Sequence, residues 1–533
     1  MMERRTRVRF APSPTGPLHM GGVRTALYNY LYAKQKGGDF ILRIEDTDSN
    51  RFVPGAEQYI IEALTWCGII PDEGVDADGN VVTEACGKHP HAPYRQSLRK
   101  PLYREYAEKL VASGNAYYAF DTAEELAAER AGAESRGEAF IYGIATRGNL
   151  RNSLTLSKEE TDRLLAERTD WTVRFKMPEN TDVEMDDMIR GHITVNSSTL
   201  DDKVLWKRAD ELPTYHLANI VDDHLMEITE VIRGEEWLPS LPLHYLLYKA
   251  LGWEDTMPRF AHLPLLLKPD GKGKLSKRDG DKLGFPVFPL RWVSPQGEVS
   301  RGYREDGYFP EAFVNLLALL GWNPGDEREL FSLGELVKAF SVDRIVKSGA
   351  RFNPEKAKWF NREHLRMKSP GELADLFIPI LEADGIKVSD IPEADFEGRE
   401  FPRRYVEKAL EMTRERAVFI QDFRAVTACL FEAPAEYVRK DTDKFWKEEN
   451  AAMTMEAAAY LASEGFSKGN EGAGSALEEF IRGKEWPMGK VMNCIRLALT
   501  GSSSGLAIAD ILSMIGKDEF IRRIELIKNN LPL

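Results

Sequence analysis

The most informative segment of this chain reads Arg9-Phe-Ala-Pro-Ser-Pro-Thr-Gly-Pro-Leu-His-Met-Gly-Gly22. At its start, Val8 and Phe10 alternate with two arginines, which predicts a short β-strand with one buried face. The prolines and the glycine that follow exclude a regular element. From Val23 onward the apolar residues recur at helical spacing. The segment therefore predicts a strand, a stiff loop, a His-x-Gly-Gly motif and a helix, in that order.

The start of the predicted helix is suited to bind an anion. The first backbone N–H groups of a helix lack intrahelical partners, and the helix dipole is positive at that end. Gly21 and Gly22 allow a close approach of the ligand, and His19 can donate a hydrogen bond to it. A proline- and glycine-rich turn that merely opens a helix would give the same local pattern, so the motif alone leaves both interpretations open.

The joined segment resembles the first nucleotide-binding signature of the class I aminoacyl-tRNA synthetases. Its Ala-Pro-Ser-Pro-Thr-Gly lead-in resembles the glutamyl-tRNA synthetases in particular. Gly22 stands where the general signature has histidine, a position at which glutamyl enzymes commonly vary. The resemblance implies that His19, Gly21 and Gly22 are catalytic, that Ser13, His19 and Gly22 bind ATP, and that Arg9, Ala11 and Ser13 contribute to a glutamate site.

A second predicted strand, residues 40–44, leads into Glu45-Asp-Thr-Asp48. Ligands of open α/β sheets bind beyond the carboxyl ends of the strands. The acidic residues here therefore either hold an amino group or form a helix cap or solvated turn. The string from Arg43 to Asp48 also resembles the glutamyl enzymes, and this resemblance implies that Glu45 binds the α-amino group of the substrate.

Two polar residues in the middle of the chain, Tyr215 and Asn219, are four positions apart and would share one face of a helix. Such a pair forms either a substrate wall or a solvated face, and the apolar residues around it favour the substrate wall. Arg233 follows a predicted strand at 228–232, where a guanidinium could bind a carboxylate through two hydrogen bonds. In the family that this stretch resembles, the matching arginine reads the side-chain carboxylate of glutamate, and the glutaminyl relatives lack it.

A basic segment, Gly273-Lys-Leu-Ser-Lys-Arg278, reads as a flexible loop. Such a loop can close over a triphosphate and neutralise charge as it develops; a basic surface turn is the alternative. The segment resembles the second class I signature in its Lys-Leu-Ser-Lys-Arg form. This resemblance implies that Lys274, Ser276 and Lys277 bind ATP and that the two lysines are catalytic.

The composition bears on which partners the chain can bind and on its cellular compartment. The 533 residues carry a net charge of −14, so RNA binding would require local basic patches. The four cysteines form no CxxC pair, so no cysteine zinc site is suggested. Some members of the resembled family carry such a site in an inserted domain; the corresponding residues here, 95–205, contain no cysteine, so we predict no zinc site. The N-terminus lacks an apolar signal core, and the apolar run at 312–322 is too short to span a membrane. A cytoplasmic protein without a membrane partner is expected.

Two further loops are distinctive. His89 and His91 lie in a segment rich in Asp, Gly, Pro and His, which predicts solvent-exposed loop histidines. Residues 285–305 look like extra sequence relative to the family pattern, with a predicted hairpin turn at Gly297. Because this segment follows the lysine loop, it could affect loop closure.

The predicted fold class is α/β: a class I Rossmann-like catalytic domain with an inserted α+β acceptor-binding domain, followed by a mostly α-helical anticodon-binding region. The predicted domains are 1–94 and 206–272 for the two catalytic halves, 95–205 for the insertion, 273–370 for the lysine loop and a stem-contact domain, and 371–533 for the helical region. Helical periodicity is predicted in six C-terminal runs: 372–384, 403–424, 453–464, 474–483, 487–499 and 507–531. Arg416, on the second of these, matches a family position that contacts the anticodon.

The resemblance to glutamyl-tRNA synthetases implies a monomeric enzyme that uses ATP, with Mg²⁺ bridging its phosphates, to attach glutamate to tRNA(Glu). Three alternatives remain open at this point: a glutaminyl enzyme, a tRNA-modifying relative without an anticodon region, and an inactive RNA-binding protein. Arg233 and the helical C-terminus oppose the first, and the length of the chain opposes the second. Intact His19, Lys274 and Lys277 oppose the third.

Overall fold

The structure is a computed structural model that describes residues 4–48, 51–391 and 400–531. The chain divides into two units, Met1–Ala357 and Lys358–Leu533. Among the described residues, no helix has both the length and the apolar character needed to cross a membrane.

The first unit is built on a six-stranded sheet. In sheet order its strands are β2 (Asp39–Leu42), β1 (Arg7–Phe10), β9 (Glu230–Gly234), β10 (Arg259–Leu263), β5 (Asp182–Asp187) and β6 (Gly191–Asn196). Neighbouring strands are parallel, except that β5 and β6 form an antiparallel hairpin. The chain moves from β1 to β2 on one side and later places β9 on the other side of β1. A cleft is expected at this reversal of strand order, beyond the carboxyl ends of the strands.

The remaining strands form smaller sheets. A four-stranded antiparallel sheet contains β3 (Ala116–Ala119), β4 (Thr172–Phe175), β7 (Val204–Lys207) and β8 (Leu212–Pro213). Three two-stranded pairs are β11 (Leu266–Leu267) with β14 (Ala350–Arg351), β12 (Trp292–Val293) with β13 (Val299–Ser300), and β15 (Val388–Ser389) with β16 (Phe401–Pro402). Within the predicted insertion, 95–205, the β5–β6 hairpin thus extends the main sheet, whereas β3, β4 and β7 belong to the separate one.

Helices cover the sheets of the first unit. The α-helices up to its boundary are α1 (Met20–Gln35), α2 (Ala56–Trp66), α3 (Lys100–Ala112), α4 (Ala123–Ser135), α5 (Lys158–Glu167), α6 (Tyr215–Leu225), α7 (Leu241–Ala250), α8 (Lys277–Leu283), α9 (Pro310–Ala318), α10 (Leu333–Ala339) and α11 (Pro354–Met367). All four residues of β1 are buried, so the prediction of a single buried face was wrong. Parallel strands are normally covered on both faces, and the two arginines of β1 are buried in ion pairs with Glu73 and Asp223.

The second unit is mostly helical, as predicted. Its remaining α-helices are α12 (Pro370–Ala383), α13 (Arg403–Thr413), α14 (Asp422–Phe431), α15 (Arg439–Phe445), α16 (Glu448–Ser463), α17 (Ala473–Gly483), α18 (Met488–Thr500) and α19 (Ile508–Asn530). The predicted continuous helix 403–424 was wrong, because a 3-10 turn, Arg414–Arg416, and a non-helical stretch separate α13 from α14. The last helix bends at Gly516, whose φ of +72° is not helical.

The loop histidines are not solvent-exposed as predicted. His89 is buried, and its Nδ1 accepts a hydrogen bond from the backbone N–H of Gly74. His91 is half-buried, with Nδ1 3.2 Å from a carboxylate oxygen of Glu73. The polar loop therefore packs against the end of the sheet, because these imidazoles satisfy buried polar groups there.

Asp222 on α6 anchors the residues that precede α3. Its fully buried carboxylate accepts hydrogen bonds from Gln96 at 2.9 Å, Arg99 Nε at 2.7 Å and Tyr103 Oη at 2.8 Å. Removing the charge of one partner in a buried ion pair leaves the other charge uncompensated.

We expect D222N to destabilise the first unit by about 3 kcal/mol, because Arg99 loses its buried counter-charge. The measurement is the thermal unfolding midpoint of the full chain. Glu105→Gln is the matched control, since it breaks an exposed ion pair with Lys109 on α3 and should change the midpoint little. Equal midpoints for D222N and E105Q would contradict the anchoring role.

Candidate active site

A cavity of about 690 Å³ lies where β1, β2 and β9 end. Every residue that the sequence analysis assigned to glutamate lines it, together with the two glycines of the first signature: Arg9, Ala11, Ser13, Gly21, Gly22, Glu45, Tyr215, Asn219 and Arg233. The structure therefore brings together side chains that are more than 200 positions apart in the chain. Trp237, which sequence reasoning missed, also lines the cavity and packs on the Tyr215 ring with centroids 4.2 Å apart.

Asp223 fixes two arginines beneath this cavity. It accepts two hydrogen bonds from Arg9, at 3.0 and 3.2 Å, and one from Arg43 at 2.7 Å. All three side chains are buried. Burial raises the pKa of Asp223, but the charges and hydrogen bonds of Arg9 and Arg43 outweigh it and hold this pKa below its ordinary value. The carboxylate therefore stays ionised and orients both guanidinium groups.

Glu45 follows β2 and lies at the cavity wall. Its Oε1 accepts a hydrogen bond from Arg43 Nη2 at 3.0 Å. Burial raises the pKa of the Glu45 carboxyl above its ordinary value, although Arg43 and Arg9 oppose the shift. A bound ammonium group would oppose this shift, because it favours the ionised form. Glu45 thus has the position and chemistry to pair with an amino group in the cavity.

Tyr215 and Asn219 both face the cavity from α6, as their spacing predicted. The Asn219 amide fits its surroundings with the oxygen 3.2 Å from Arg9 Nη2 and the nitrogen 3.2 Å from Asp223 Oδ2. Tyr215 Oη accepts a hydrogen bond from Arg233 Nη1 at 2.8 Å. The hydroxyl hydrogen of Tyr215 is therefore directed away from Arg233 and can be donated to a ligand.

Arg233, at the end of β9, differs from the other buried arginines of the site. It is 5% exposed, and its hydrogen-bond partners are His262, Tyr215, His244 and the carbonyl of Trp237. Among the described residues it forms no ion pair with a carboxylate, in contrast to Arg9. A buried guanidinium without a counter-ion favours an anionic ligand strongly.

A second cavity of about 440 Å³ adjoins the first. Ser13 and Gly22 line both cavities, and His19 and Lys277 line only the second. A Cβ atom at Gly22 would lie 2.5 Å from a terminal methyl of Leu18, so a larger residue here would displace that side chain. The pair of cavities is arranged for two adjacent ligands.

His19 is the N-cap of α1. Its Nδ1 accepts a hydrogen bond from the backbone N–H of Gly21 at 3.1 Å, so the proton of the neutral ring is on Nε2. Nε2 is buried and has no hydrogen-bond partner among the described residues. Burial, together with the charge of Lys274, lowers the pKa of His19 to about 4. At neutral pH His19 is therefore an uncharged donor beside the second cavity.

The two signature lysines lie apart in this structure. Lys274 Nζ is 3.5 Å from a carboxylate oxygen of Glu236, and Lys277 Nζ is 3.8 Å from Glu298. Ser276 is the N-cap of α8, where it forms a capping box with Asp279. Of the three signature residues, only Lys277 lines either of the two cavities. Lys274 lies beside the first cavity, because its partner Glu236 lines it.

Residues 285–305 contact both signatures. The predicted turn is confirmed, with β12 and β13 antiparallel and a φ of +84° at Gly297. The carbonyl of Val287 accepts a hydrogen bond from the backbone N–H of Met20 at 2.9 Å, and the Phe288 ring packs edge-on against His19. The segment therefore supports the start of α1, and its hairpin presents Glu298 to the lysine loop.

Arg416 lies in the second unit, in the turn Arg414–Arg416, rather than on the predicted helix. It is exposed, and its Nη1 donates a hydrogen bond to the carbonyl of Gly505 at 3.1 Å. This position leaves it accessible to a large ligand.

Sequence reasoning missed Asp223, although the four-residue spacing from Asn219 places both on one face of α6. It also missed His262 on β10, which contacts Arg233, and Asp187 on β5, which contacts His262. No sequence pattern joins these two residues, because they are 75 positions apart and meet only through the pairing of the two strands.

Comparison with known proteins gives one consistent answer. The family model of class I tRNA synthetases (E and Q), catalytic domain, matches residues 5–359, and an anticodon binding domain matches residues 372–528. The glutamate–tRNA ligases of Porphyromonas gingivalis and Bacteroides thetaiotaomicron are each 54% identical to this chain. Both alignments cover 98% of this chain; they cover 98% of the first relative and 99% of the second.

A solved structure agrees with the sequence relatives. It is a glutamate tRNA ligase from Elizabethkingia meningosepticum in complex with its amino acid, and it superposes with a TM-score of 0.91 at 48% identity, covering 99% of this chain and 100% of that one. The match extends over both units and therefore over the site as well as the helical region. This chain belongs to the glutamate–tRNA ligases, a family of class I tRNA synthetases.

Proposed function

We propose that the two cavities bind glutamate and ATP side by side and that the chain then transfers the activated glutamate to tRNA(Glu). In the first step a glutamate α-carboxylate oxygen attacks the α-phosphate of ATP, and pyrophosphate leaves. In the second step the 2′-hydroxyl of the terminal ribose attacks the carbonyl carbon of glutamyl-adenylate, and AMP leaves. The observation that carries this proposal is a buried Arg233 that has no carboxylate partner within the described part of the chain and faces the same cavity as Glu45.

The first cavity has the charge pattern of glutamate. Arg233 and the Tyr215 hydroxyl would bind the side-chain carboxylate, and Glu45 would pair with the α-ammonium group. Arg9, oriented by Asp223, would face the α-carboxylate. Asn219, Ala11 and Ser13 complete the wall. The solved relative that holds its amino acid supports this use of the site.

The second cavity is suited to the phosphates of ATP. The Nε2–H group of His19 and the N-terminal end of α1, with Gly21 and Gly22, offer hydrogen-bond donors to an anion. Closure of the Gly273–Arg278 loop would bring Lys274, Ser276 and Lys277 onto the phosphates as charge develops. ATP would enter as its Mg²⁺ complex, in which the metal ion is held chiefly by phosphate oxygens. Catalysis is then alignment and charge stabilisation without a protein nucleophile.

Binding of tRNA would engage two parts of the chain. The four-stranded sheet and helices within 95–205 would hold the acceptor end, and the helical region 371–533 would hold the anticodon, with Arg416 as a contact. The match of residues 372–528 to an anticodon binding domain supports the second assignment. We propose a monomer acting in the cytoplasm.

The direct test is ATP-dependent charging of purified tRNA(Glu) and tRNA(Gln) with labelled glutamate and, separately, labelled glutamine. We expect glutamate to be attached to tRNA(Glu) and glutamine to be attached to neither, because an amide cannot replace the carboxylate opposite Arg233. Glutamate on tRNA(Gln) as well would identify a non-discriminating enzyme. Glutamine charging, or no charging of active tRNA, would overturn the proposal.

Arg233→Ala should lower the glutamate kcat/KM by more than about tenfold, which corresponds to about 1.4 kcal/mol of lost transition-state binding. The measurement is steady-state aminoacylation at saturating ATP and tRNA(Glu). Arg259→Ala is the matched control. Arg259 begins β10 and pairs with Glu230 at the start of β9, whereas Arg233 lies near the end of β9. A loss of less than tenfold would contradict the specificity role of Arg233.

His19→Asn should abolish most activity without destabilising α1. Asparagine is a good N-cap but cannot place a donor where Nε2 lies, whereas His19→Ala loses the cap as well, at a cost of about 1 kcal/mol. We therefore expect both variants to lose kcat in pyrophosphate exchange measured with tRNA present, and only H19A to lower the unfolding midpoint.

The pH dependence of the aminoacylation rate tests whether His19 acts as a neutral or as a charged donor. Since the pKa of His19 is about 4, its Nε2–H donor is uncharged from pH 5.5 to 8 and should add no ionisation to the wild-type rate profile in that range. An ionisation near pH 6.5 that disappears in H19N would contradict this assignment.

A further inference from the structure

A buried chain of three side chains leads from the end of β5 to the first cavity. Asp187 Oδ2 lies 2.6 Å from His262 Nδ1, and His262 Nε2 lies 3.0 Å from Arg233 Nε. Asp187 is 4% exposed and His262 is fully buried. We propose that Asp187, acting through the tautomer of His262, positions the Arg233 guanidinium for the side-chain carboxylate of glutamate. The inference rests on the proposed role of Arg233, and it makes Asp187 and His262 positioning residues.

The first step of the argument is the protonation of the pair. Burial raises the pKa of Asp187, but its hydrogen bonds with His262 and with backbone N–H groups outweigh this effect, and the pKa lies below its ordinary value. Burial lowers the pKa of His262, and the charge of Arg233 lowers it further against the opposing effect of Asp187. At neutral pH the pair is therefore a carboxylate and a neutral imidazole.

The second step is the tautomer. The Asp187 carboxylate can only accept, so His262 must carry its hydrogen on Nδ1. The lone pair on Nε2 is then available, and the Nε–H group of Arg233 donates to it. This hydrogen bond fixes the plane of the guanidinium at its Nε edge, on the side of His262.

The third step concerns charge. Besides His262, Arg233 donates to Tyr215 Oη at 2.8 Å and to the Trp237 carbonyl at 3.3 Å, and its Nη1 is 3.4 Å from His244 Nδ1. Burial, and then the charge of Arg233, place the pKa of His244 well below its ordinary value, so this ring is neutral too. A carboxylate in direct contact with Arg233 would compete with the substrate. Placing an imidazole between Asp187 and Arg233 keeps the orientation and leaves the positive charge for the ligand.

Oδ1 of Asp187 accepts from backbone N–H groups, the longest of these bonds coming from His262 at 3.4 Å, whereas Oδ2 contacts the His262 ring, which makes a selective variant available. Oδ1 accepts hydrogen bonds from the backbone N–H groups of Ile189 at 2.9 Å and Arg190 at 2.8 Å and so closes the β5–β6 turn. In D187N the amide oxygen can keep these bonds. The amide NH₂ would replace Oδ2 and cannot accept from Nδ1, so His262 would shift its hydrogen to Nε2 and oppose the Arg233 donor.

The chain offers a matched control at the preceding residue. Asp186 also contacts a histidine, with Oδ1 3.0 Å from His192 Nδ1, but this pair is exposed on the outer hairpin. D186N therefore repeats the same chemical change, on the same strand, without contact to Arg233. His262→Asn is a second test variant, because its shorter amide can donate to Asp187 but cannot reach Arg233.

The experiment is steady-state aminoacylation with varied glutamate at saturating ATP and tRNA(Glu), together with unfolding midpoints. For D187N and H262N we expect the glutamate KM to rise about tenfold, because each variant loses one hydrogen bond to a charged group. We expect kcat to stay within about threefold of wild type. For D186N we expect both constants to stay within about twofold.

The outcomes separate the inference from the proposed function. Unchanged glutamate KM in D187N and H262N, alongside a large loss in R233A, would overturn the inference alone. A fall in kcat and midpoint with KM unchanged would assign the pair a structural role and would also overturn it. Unchanged KM in R233A would overturn the role of Arg233 and the inference with it. If D187N does not fold, H262N decides.

Discussion

The site depends on one buried carboxylate, Asp223. Its pairing with Arg9 and Arg43 joins β1, β2 and α6 beneath the cavity, and through Arg43 it also fixes Glu45. Buried charges are tolerated only when they are paired and hydrogen-bonded. The strands that carry the proposed substrate-binding residues are thus held in their relative positions by the same ion pairs that orient those side chains. A rigid polar floor of this kind needs little rearrangement when a charged ligand enters.

Two arginines that line the cavity, Arg9 and Arg233, differ in how their charge is compensated. The arginine at one end, Arg9, is compensated by a protein carboxylate, whereas Arg233 at the other end has neutral partners. A compensated arginine keeps its geometry without drawing in any anion that happens to be present. An uncompensated one gains a large electrostatic benefit from a carboxylate and little from an amide. This asymmetry gives the family's preference for glutamate a physical basis in this chain.

Much of the site was predictable from sequence because it lies at strand ends. Glu45 and Arg233 each follow an apolar run, and Tyr215 and Asn219 have a helical spacing, so local patterns predict both their elements and their proximity. Asp187 and His262 were not predictable, because one parallel pairing between distant strands brings them together. The prediction that His89 is solvent-exposed was wrong, because the composition of a segment indicates that it is a loop but does not show what the loop packs against. The break after α13 was missed because apolar periodicity continues across the turn that holds Arg416.

The segment 285–305 gives the second cavity one of its walls. Trp292, Ser294 and Ser300, from the β12–β13 hairpin and its turn, line that cavity opposite His19. A small molecule anchored on the nucleotide signature and extended toward this wall would meet an indole ring and two serine side chains. An inhibitor built in this way would distinguish this ligase from any relative whose chain lacks the hairpin.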